Sequence, residues 1–107
     1  MKARLIAKGI VQGVGYRYFV RNAALKNKIK GLVRNLPDGT VEIFAEGEER
    51  NMNNFIEEVR FAEGSLATVE ELNVYKEGEK DFKGPWKDYG DKFIIDRRKG
   101  NINGSEA

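Results

Sequence analysis

Three glycines and one arginine are the residues of this sequence whose spacing most directly suggests chemistry. Gly9, Gly13 and Gly15 fall within seven positions, and Arg17 follows at the start of a segment with helical spacing. Glycine allows a backbone to turn tightly and to approach a ligand closely. Loop amides at the start of a helix, together with a guanidinium, would hold an anion. Phosphate suits this cradle best, because a guanidinium can bind two of its oxygens at once.

The composition excludes several other kinds of active site. The 107 residues include no cysteine and no histidine. A thiolate nucleophile, a phosphohistidine, an imidazole base and nearly every zinc site are therefore excluded, and we expect neither a metal nor a cofactor. No apolar run approaches the ~20 residues of a membrane span, and Lys8 interrupts the N-terminal one. We therefore expect a cytoplasmic protein without a membrane partner.

The net charge of +2 is distributed unevenly along the chain. Residues 1–40 contain nine basic residues and only one acidic residue, Asp38, whereas residues 41–107 contain ten basic and sixteen acidic residues. The basic part includes the glycine loop, so an anionic substrate would be attracted to that loop. The alternative is that these charges are ordinary solvated faces of two elements.

Hydrophobic spacing and turn residues predict seven elements. We expect strands at 3–10, 30–36, 40–46, 69–75 and 93–95 and helices at 17–27 and 50–62. This order is typical of a ferredoxin-like α+β sandwich, a βαββαβ unit whose antiparallel sheet carries two helices on one face, plus a short C-terminal strand. Residues 1–97 would form a single domain and residues 98–107 a flexible polar tail. The role of the charged, glycine-containing segment 76–90 is left open.

Two segments resemble the motifs of the acylphosphatase family. GIVQGVGYR, at residues 9–17, resembles the family signature, and GLVRNLPDGTVE, at residues 31–42, resembles its second motif. The resemblance implies a ferredoxin-like fold and hydrolysis of the carboxyl–phosphate bond of a small acyl phosphate. It also implies that Arg17 binds the substrate phosphate and that Asn35 positions the attacking water. Backbone amides would complete the cradle, namely those of Gln12, Gly13, Val14, Gly15 and Tyr16.

Such a site could act on acyl phosphates without a metal, a general acid or a strong base. The leaving group is a carboxylate, which departs as a stable anion. A carboxamide can hold a water through both its donor and its acceptor, although it cannot deprotonate that water. Phosphoryl transfer depends more on positioning than on deprotonation, so the proton could pass to a phosphate oxygen.

Four side chains in or near the two motifs and in the segment 76–90 have expected roles outside the phosphate cradle. Arg34 should point to the sheet face opposite Asn35 and be structural. Trp86 is expected to pack or to act as a lid rather than contact a ligand. Tyr16 stands where the family more usually has phenylalanine and would add a hydroxyl beside the loop. Ile10 stands where an arginine is common, which removes one positive charge near the site.

Other functions remain as alternatives. A Walker A loop would need Gly-Lys-Ser/Thr where this chain has Gly15-Tyr16-Arg17, and a dinucleotide fingerprint would need glycine at Tyr18. An RNA-recognition fold should carry its aromatic residues on strands, not on this loop and helix. We therefore expect no nucleic-acid partner. We also expect a monomer. A non-catalytic anion or nucleic-acid binding module of the same fold, and a domain for carbamoyl-phosphate processing, remain the competing interpretations.

Overall fold

The computed structural model describes residues 1–84 and 86–98. The elements are β1 (Lys2–Ile10), α1 (Tyr16–Lys26), β2 (Lys30–Asn35), β3 (Val41–Glu46), α2 (Glu49–Phe61), β4 (Thr68–Lys76) and β5 (Phe93–Asp96). Each bound lies within one residue of the bound expected from the sequence. Residues 99–107, nearly all of the expected tail, lie outside the described residues, and the domain boundary at residue 97 stays a prediction.

The five strands form one sheet in the order β4-β1-β3-β2-β5. Strand β1 pairs antiparallel with β4 on one side and with β3 on the other, and β3 pairs antiparallel with β2. The fifth strand, β5, runs parallel to β2. The ferredoxin-like α+β fold is therefore confirmed, and β5 makes the sheet mixed, a detail that the sequence did not predict.

Both helices pack against the same face of the sheet. Alternate residues of the strands contribute to this core, as expected for side chains that point to opposite faces in turn. The buried helical residues are Tyr16, Val20, Ala23 and Ala24 of α1 and Met52, Phe55, Ile56 and Val59 of α2. These are the apolar stripes expected from helical spacing. No helix among the described residues is long and apolar enough to cross a membrane.

The opposite face of the sheet is covered by the segment between β4 and β5. Trp86 meets the ring of Phe44 edge-on at 5.0 Å between ring centres and stacks on Phe82 at 4.9 Å. Tyr89 is buried in the same cluster. Trp86 therefore packs against the sheet, which is one of the two roles expected for it, packing or acting as a lid.

A buried carboxylate lies on this second face. Glu42 is only 3% exposed, and its two oxygens each accept a hydrogen bond of 2.8 Å, one from Arg4 Nε and one from Arg34 Nε. Arg34 thus has a structural partner on the face opposite the helices, which agrees with its expected role.

Candidate active site

A five-residue loop connects the end of β1 to the start of α1. Gly13 and Gly15 have φ angles of 76° and 80°, in the left-handed region where a side chain would be strained. Gly15 is the N-cap residue of α1, and the first turn of this helix contains no acidic residue. The first N–H groups of a helix have no intrahelical acceptor. The loop and helix start therefore offer backbone donors to an anion.

The side chain of Gln12 fastens this loop to the β2–β3 hairpin. Its Nε2 donates to the carbonyl oxygen of Leu36 at 2.9 Å and to that of Thr40 at 2.8 Å. From the sequence, only the backbone amide of Gln12 was expected to contribute to the cradle. The structure adds a positioning contact that sequence spacing could not reveal, because it joins residues 24 and 28 positions apart.

The hairpin itself is held by the turn residues expected from the sequence. Gly39 N donates to Leu36 O at 3.2 Å, as in a β-turn. The Thr40 hydroxyl and backbone N–H both donate to Asp38 Oδ1. These hydrogen bonds lower the pKa of the Asp38 carboxyl, with the hydroxyl contributing most. The turn that follows Asn35 is thus fixed locally as well as through Gln12.

Asn35 ends β2 directly before this turn. It pairs in register with Val41 of β3 and is only 9% exposed. Alternation along the strand places it on the helix-facing side together with Val33, which belongs to the core. Its Oδ1 is buried, and no group within the described part of the chain hydrogen-bonds it. Buried polar atoms normally have a partner, so this acceptor is suited to a bound molecule.

Arg17 lies in the first turn of α1 and is half-buried. Its Nη1 donates to the carbonyl oxygen of Asp96 at 3.1 Å. Asp96 ends β5 and pairs in register with Arg34, the residue before Asn35. Arg17 is therefore held at the same end of the sheet as Asn35. None of the carboxylates within residues 1–84 and 86–98 forms an ion pair with it.

The expectation for the Tyr16 side chain was wrong. Its hydroxyl does not lie beside the loop but donates to Val59 O of α2 at 2.8 Å, and the residue is only 1% exposed. Burial raises the pKa of Tyr16, so the hydroxyl stays a donor. Tyr16 can therefore contribute only its backbone to the cradle.

Ile10 is the last residue of β1 and is 57% exposed beside the loop. It pairs in register with Thr68 of β4. An apolar side chain thus stands on the β4 side of the loop, whereas Arg17 lies on the β5 side. The positive charge that Arg17 brings to the candidate site therefore lies on the β5 side of the loop.

Comparison with known proteins shows to which family this chain is similar. The family model for acylphosphatase matches residues 3–89. An acylphosphatase of Bacillus velezensis is 45% identical over 80 residues, which cover 71% of this chain and 89% of that protein. An acylphosphatase of Oceanobacillus iheyensis is 48% identical over 67 residues, 63% of this chain and 74% of that protein.

Solved structures show the same similarity. The crystal structure of acylphosphatase from Bacillus subtilis is 36% identical, with a TM-score of 0.68, and the match covers 89% of this chain and 97% of that one. Full-length HypF in a phosphate- and nucleotide-bound form is also 36% identical, with a TM-score of 0.71, but the match covers only 13% of that longer chain. Because the family model matches residues 3–89 and the two Bacillus relatives are similar over most of their length, the chain belongs to the acylphosphatase family.

Proposed function

We propose that this chain hydrolyses the carboxyl–phosphate bond of small acyl phosphates, with Arg17 and Asn35 as its catalytic residues. The reaction class is supported by the family and by relatives that are named acylphosphatases. The roles of the individual residues are our proposal and are argued from the geometry of the site.

The phosphate group would bind between the loop and Arg17. Backbone amides from Gln12 to Tyr16 would contact its oxygens at the positive end of the α1 dipole. The Arg17 guanidinium uses one N–H on Asp96 O, which orients it and leaves its other donors for the phosphate. These donors are fixed in advance, so they favour the charge that develops on the phosphoryl oxygens in the transition state.

The attacking water would be held by Asn35. Its buried, unpartnered Oδ1 is the single observation that carries this proposal, because it is an acceptor for a water O–H at the end of the sheet that also carries Arg17. The water oxygen would attack phosphorus in line with the scissile bond. A P–O bond to water forms, the P–O bond to the acyl oxygen breaks, and the carboxylate leaves with the electron pair. The water proton passes to a phosphate oxygen.

Gln12 would position these two parts relative to each other. Its amide joins the phosphate-binding loop to the two carbonyls that flank the hairpin turn after Asn35. In-line attack depends on the relative placement of water and phosphate, and small errors in that placement cost much of the rate. Gln12 is therefore a positioning residue in addition to a loop residue.

The test is continuous hydrolysis of benzoyl phosphate in the presence of EDTA. Asn35→Ala should lower kcat by about 10²–10³-fold, with the inhibition constant of inorganic phosphate nearly unchanged, since only the water loses its partner. Asn73→Ala, which replaces a strand asparagine whose amide donates to Glu71 of the same strand, is the matched control. Unchanged kcat in Asn35→Ala would remove Asn35 from the mechanism.

The same assay separates the proposal from a binding module of the same fold. A binding module is favoured by the basic character of residues 1–40. It predicts that benzoyl phosphate survives incubation with micromolar protein while RNA binds with a steep dependence on salt. That combination would overturn the proposed hydrolase.

A further inference from the structure

Two arginines share one tyrosine ring beside Arg17. Arg97 follows β5, and its Nη2 donates to the hydroxyl of Tyr18 in α1 at 2.7 Å. The guanidinium carbon of Arg97 lies 5.4 Å from the centre of the Tyr18 ring, and that of Arg21 lies 5.8 Å from it. Tyr18 is 44% exposed. We call these three residues the Tyr18 cluster.

The positive charge of the Tyr18 cluster is not neutralised within residues 1–84 and 86–98. Neither Arg21 nor Arg97 forms an ion pair there with a carboxylate. The neighbouring Asp96 carboxylate is engaged by Arg98, through its backbone N–H and its Nε. Arg21 Nε is buried and has no hydrogen-bond partner among the residues that the structure describes. Both guanidinium groups lie over one tyrosine ring without a carboxylate partner among the described residues, so an anion that contacts either of them would gain a favourable charge interaction.

The Tyr18 cluster adjoins the proposed phosphate site. Arg17 hydrogen-bonds the carbonyl of Asp96, and Arg97 is the next residue, with its Cα about 3.8 Å further along the chain. Tyr18 and Arg21 lie on α1, the helix that begins with the phosphate-binding loop. The residues of α1 and β5 that border the proposed phosphate site are thus followed directly by a second cationic surface.

We propose that the Tyr18 cluster is a subsite for a second anionic group on the acyl part of the substrate. The chain would then prefer acyl phosphates that carry a further carboxylate or phosphate over those with a neutral acyl group. The anion would bind the free donors of Arg21 and Arg97, and the Tyr18 ring and hydroxyl would hold the two guanidinium groups in place. This proposal rests on the proposed function, because it assigns a substrate class to the same site.

The test uses substrates that differ in one charge. Benzoyl phosphates bearing a 4-carboxylate or a 4-carboxamide have similar planar shapes, and only the carboxamide substituent is neutral. A third substrate bears a 4-phosphonate, which is tetrahedral and more highly charged. We expect kcat/KM for the carboxylate to exceed that for the carboxamide by about tenfold at low salt, and the preference to shrink as KCl is added. Comparison of carboxylate with phosphonate shows which of the two anions the subsite favours.

Substitutions assign the preference to residues. Arg97→Gln and Arg21→Gln should each lower the carboxylate-to-carboxamide ratio by about three- to tenfold. Lys87→Gln is the matched control, because Lys87 also lies over a tyrosine ring, that of Tyr89, but on the other face of the sheet. Its ratio should equal that of the parent chain. A purely structural role for Arg97 would alter both substrates equally and leave the ratio unchanged.

A binding measurement separates this proposal from the proposed function. Titration calorimetry with benzylphosphonate and 4-carboxybenzylphosphonate requires no turnover. Tighter binding of the carboxylate, lost in Arg97→Gln, supports the subsite even if no substrate is hydrolysed, in which case only the proposed hydrolase fails. Normal hydrolysis with a ratio near one in both kinetics and binding would overturn the subsite alone.

Discussion

The side-chain nitrogen of Gln12 lies 2.9 Å from the carbonyl oxygen of Leu36, the residue directly after Asn35. The same nitrogen contacts Thr40 O at 2.8 Å, so one amide spans the mouth of the hairpin. Leu36 N also donates to Thr40 O. The loop proposed to bind phosphate and the residue proposed to hold water are thereby parts of one hydrogen-bonded unit.

Gln12→Ala should uncouple the loop from the hairpin. We expect kcat/KM for benzoyl phosphate to fall about 10–100-fold, because the loop and Asn35 lose their fixed separation. Stability should fall by only about 1 kcal/mol, since both carbonyls keep a backbone donor. Steady-state kinetics and urea unfolding measure the two effects.

Two further variants sharpen the Gln12 test. Gln12→Glu keeps the size but places a carboxylate against two carbonyl oxygens, so it should be less active than Gln12→Ala. Asn22→Ala, on the exposed side of α1, is the control and should match the parent chain. Full activity in Gln12→Glu would contradict the coupling.

Arg17 should not tolerate replacement by another cation. Arg17→Ala is expected to lower kcat/KM by about 10³-fold, and Arg17→Lys by nearly as much. An ammonium lacks the planar donors of a guanidinium, one of which contacts Asp96 O while the others would bind phosphate oxygens. Arg60→Lys, an exposed arginine of α2, provides the matched control. Substantial activity in Arg17→Lys would show that Arg17 supplies only charge.

The sequence predicted the elements well because local physics determines them here. The apolar stripes of α1 and α2 and the Pro37-Asp38-Gly39 turn are properties of neighbouring residues, and the structure reproduces them. The direction of β5 was not predictable in this way. Sixteen residues separate it from β4, and its pairing with β2 depends on how that segment crosses the second face of the sheet.

In the candidate site too, the features set by neighbouring residues were predictable and the contacts between distant residues were not. The positive φ angles of Gly13 and Gly15 fit the expected loop. The contacts of Gln12 with the hairpin and of Tyr16 with α2 join distant parts of the chain, so spacing could not reveal them. The same holds for Arg97 and Tyr18, which are 79 positions apart. The sequence therefore predicted candidate site residues, and the structure shows which contacts orient them.

Glu42 should be important for stability. It bridges Arg4 and Arg34 on the second face, and its side chain is 4% exposed. Glu42→Gln would leave two adjacent guanidinium groups without a counter-charge, so we expect a loss of about 3–5 kcal/mol in the free energy of unfolding. Glu70→Gln, on the exposed edge strand, should change it by less than about 0.5 kcal/mol. Equal stability of the two variants in urea would contradict this interpretation.

The buried hydroxyl of Tyr16 should stabilise the native state at neutral pH. It donates to Val59 O in the last turn of α2, where carbonyls lack intrahelical donors. Tyr16→Phe leaves that carbonyl without this donor, so the free energy of unfolding at pH 7 should fall by about 1–2 kcal/mol. Tyr75→Phe, which removes the hydroxyl of a half-buried tyrosine of β4, is the control and should cost less.

Tyr16 should also make the chain sensitive to alkali. Burial raises its pKa in the native state above the ordinary value of 10.0. Above about pH 10 the unfolded chain releases the Tyr16 proton while the native protein retains it, so stability should fall with rising pH by up to about 1.4 kcal/mol per pH unit from this group. Burial raises the pKa of Tyr89 as well, so Tyr16→Phe should remove part of the slope and not all of it. Urea unfolding from pH 8 to pH 11 measures the slopes, and identical slopes in Tyr16→Phe and the parent chain would show that Tyr16 ionises equally in both states.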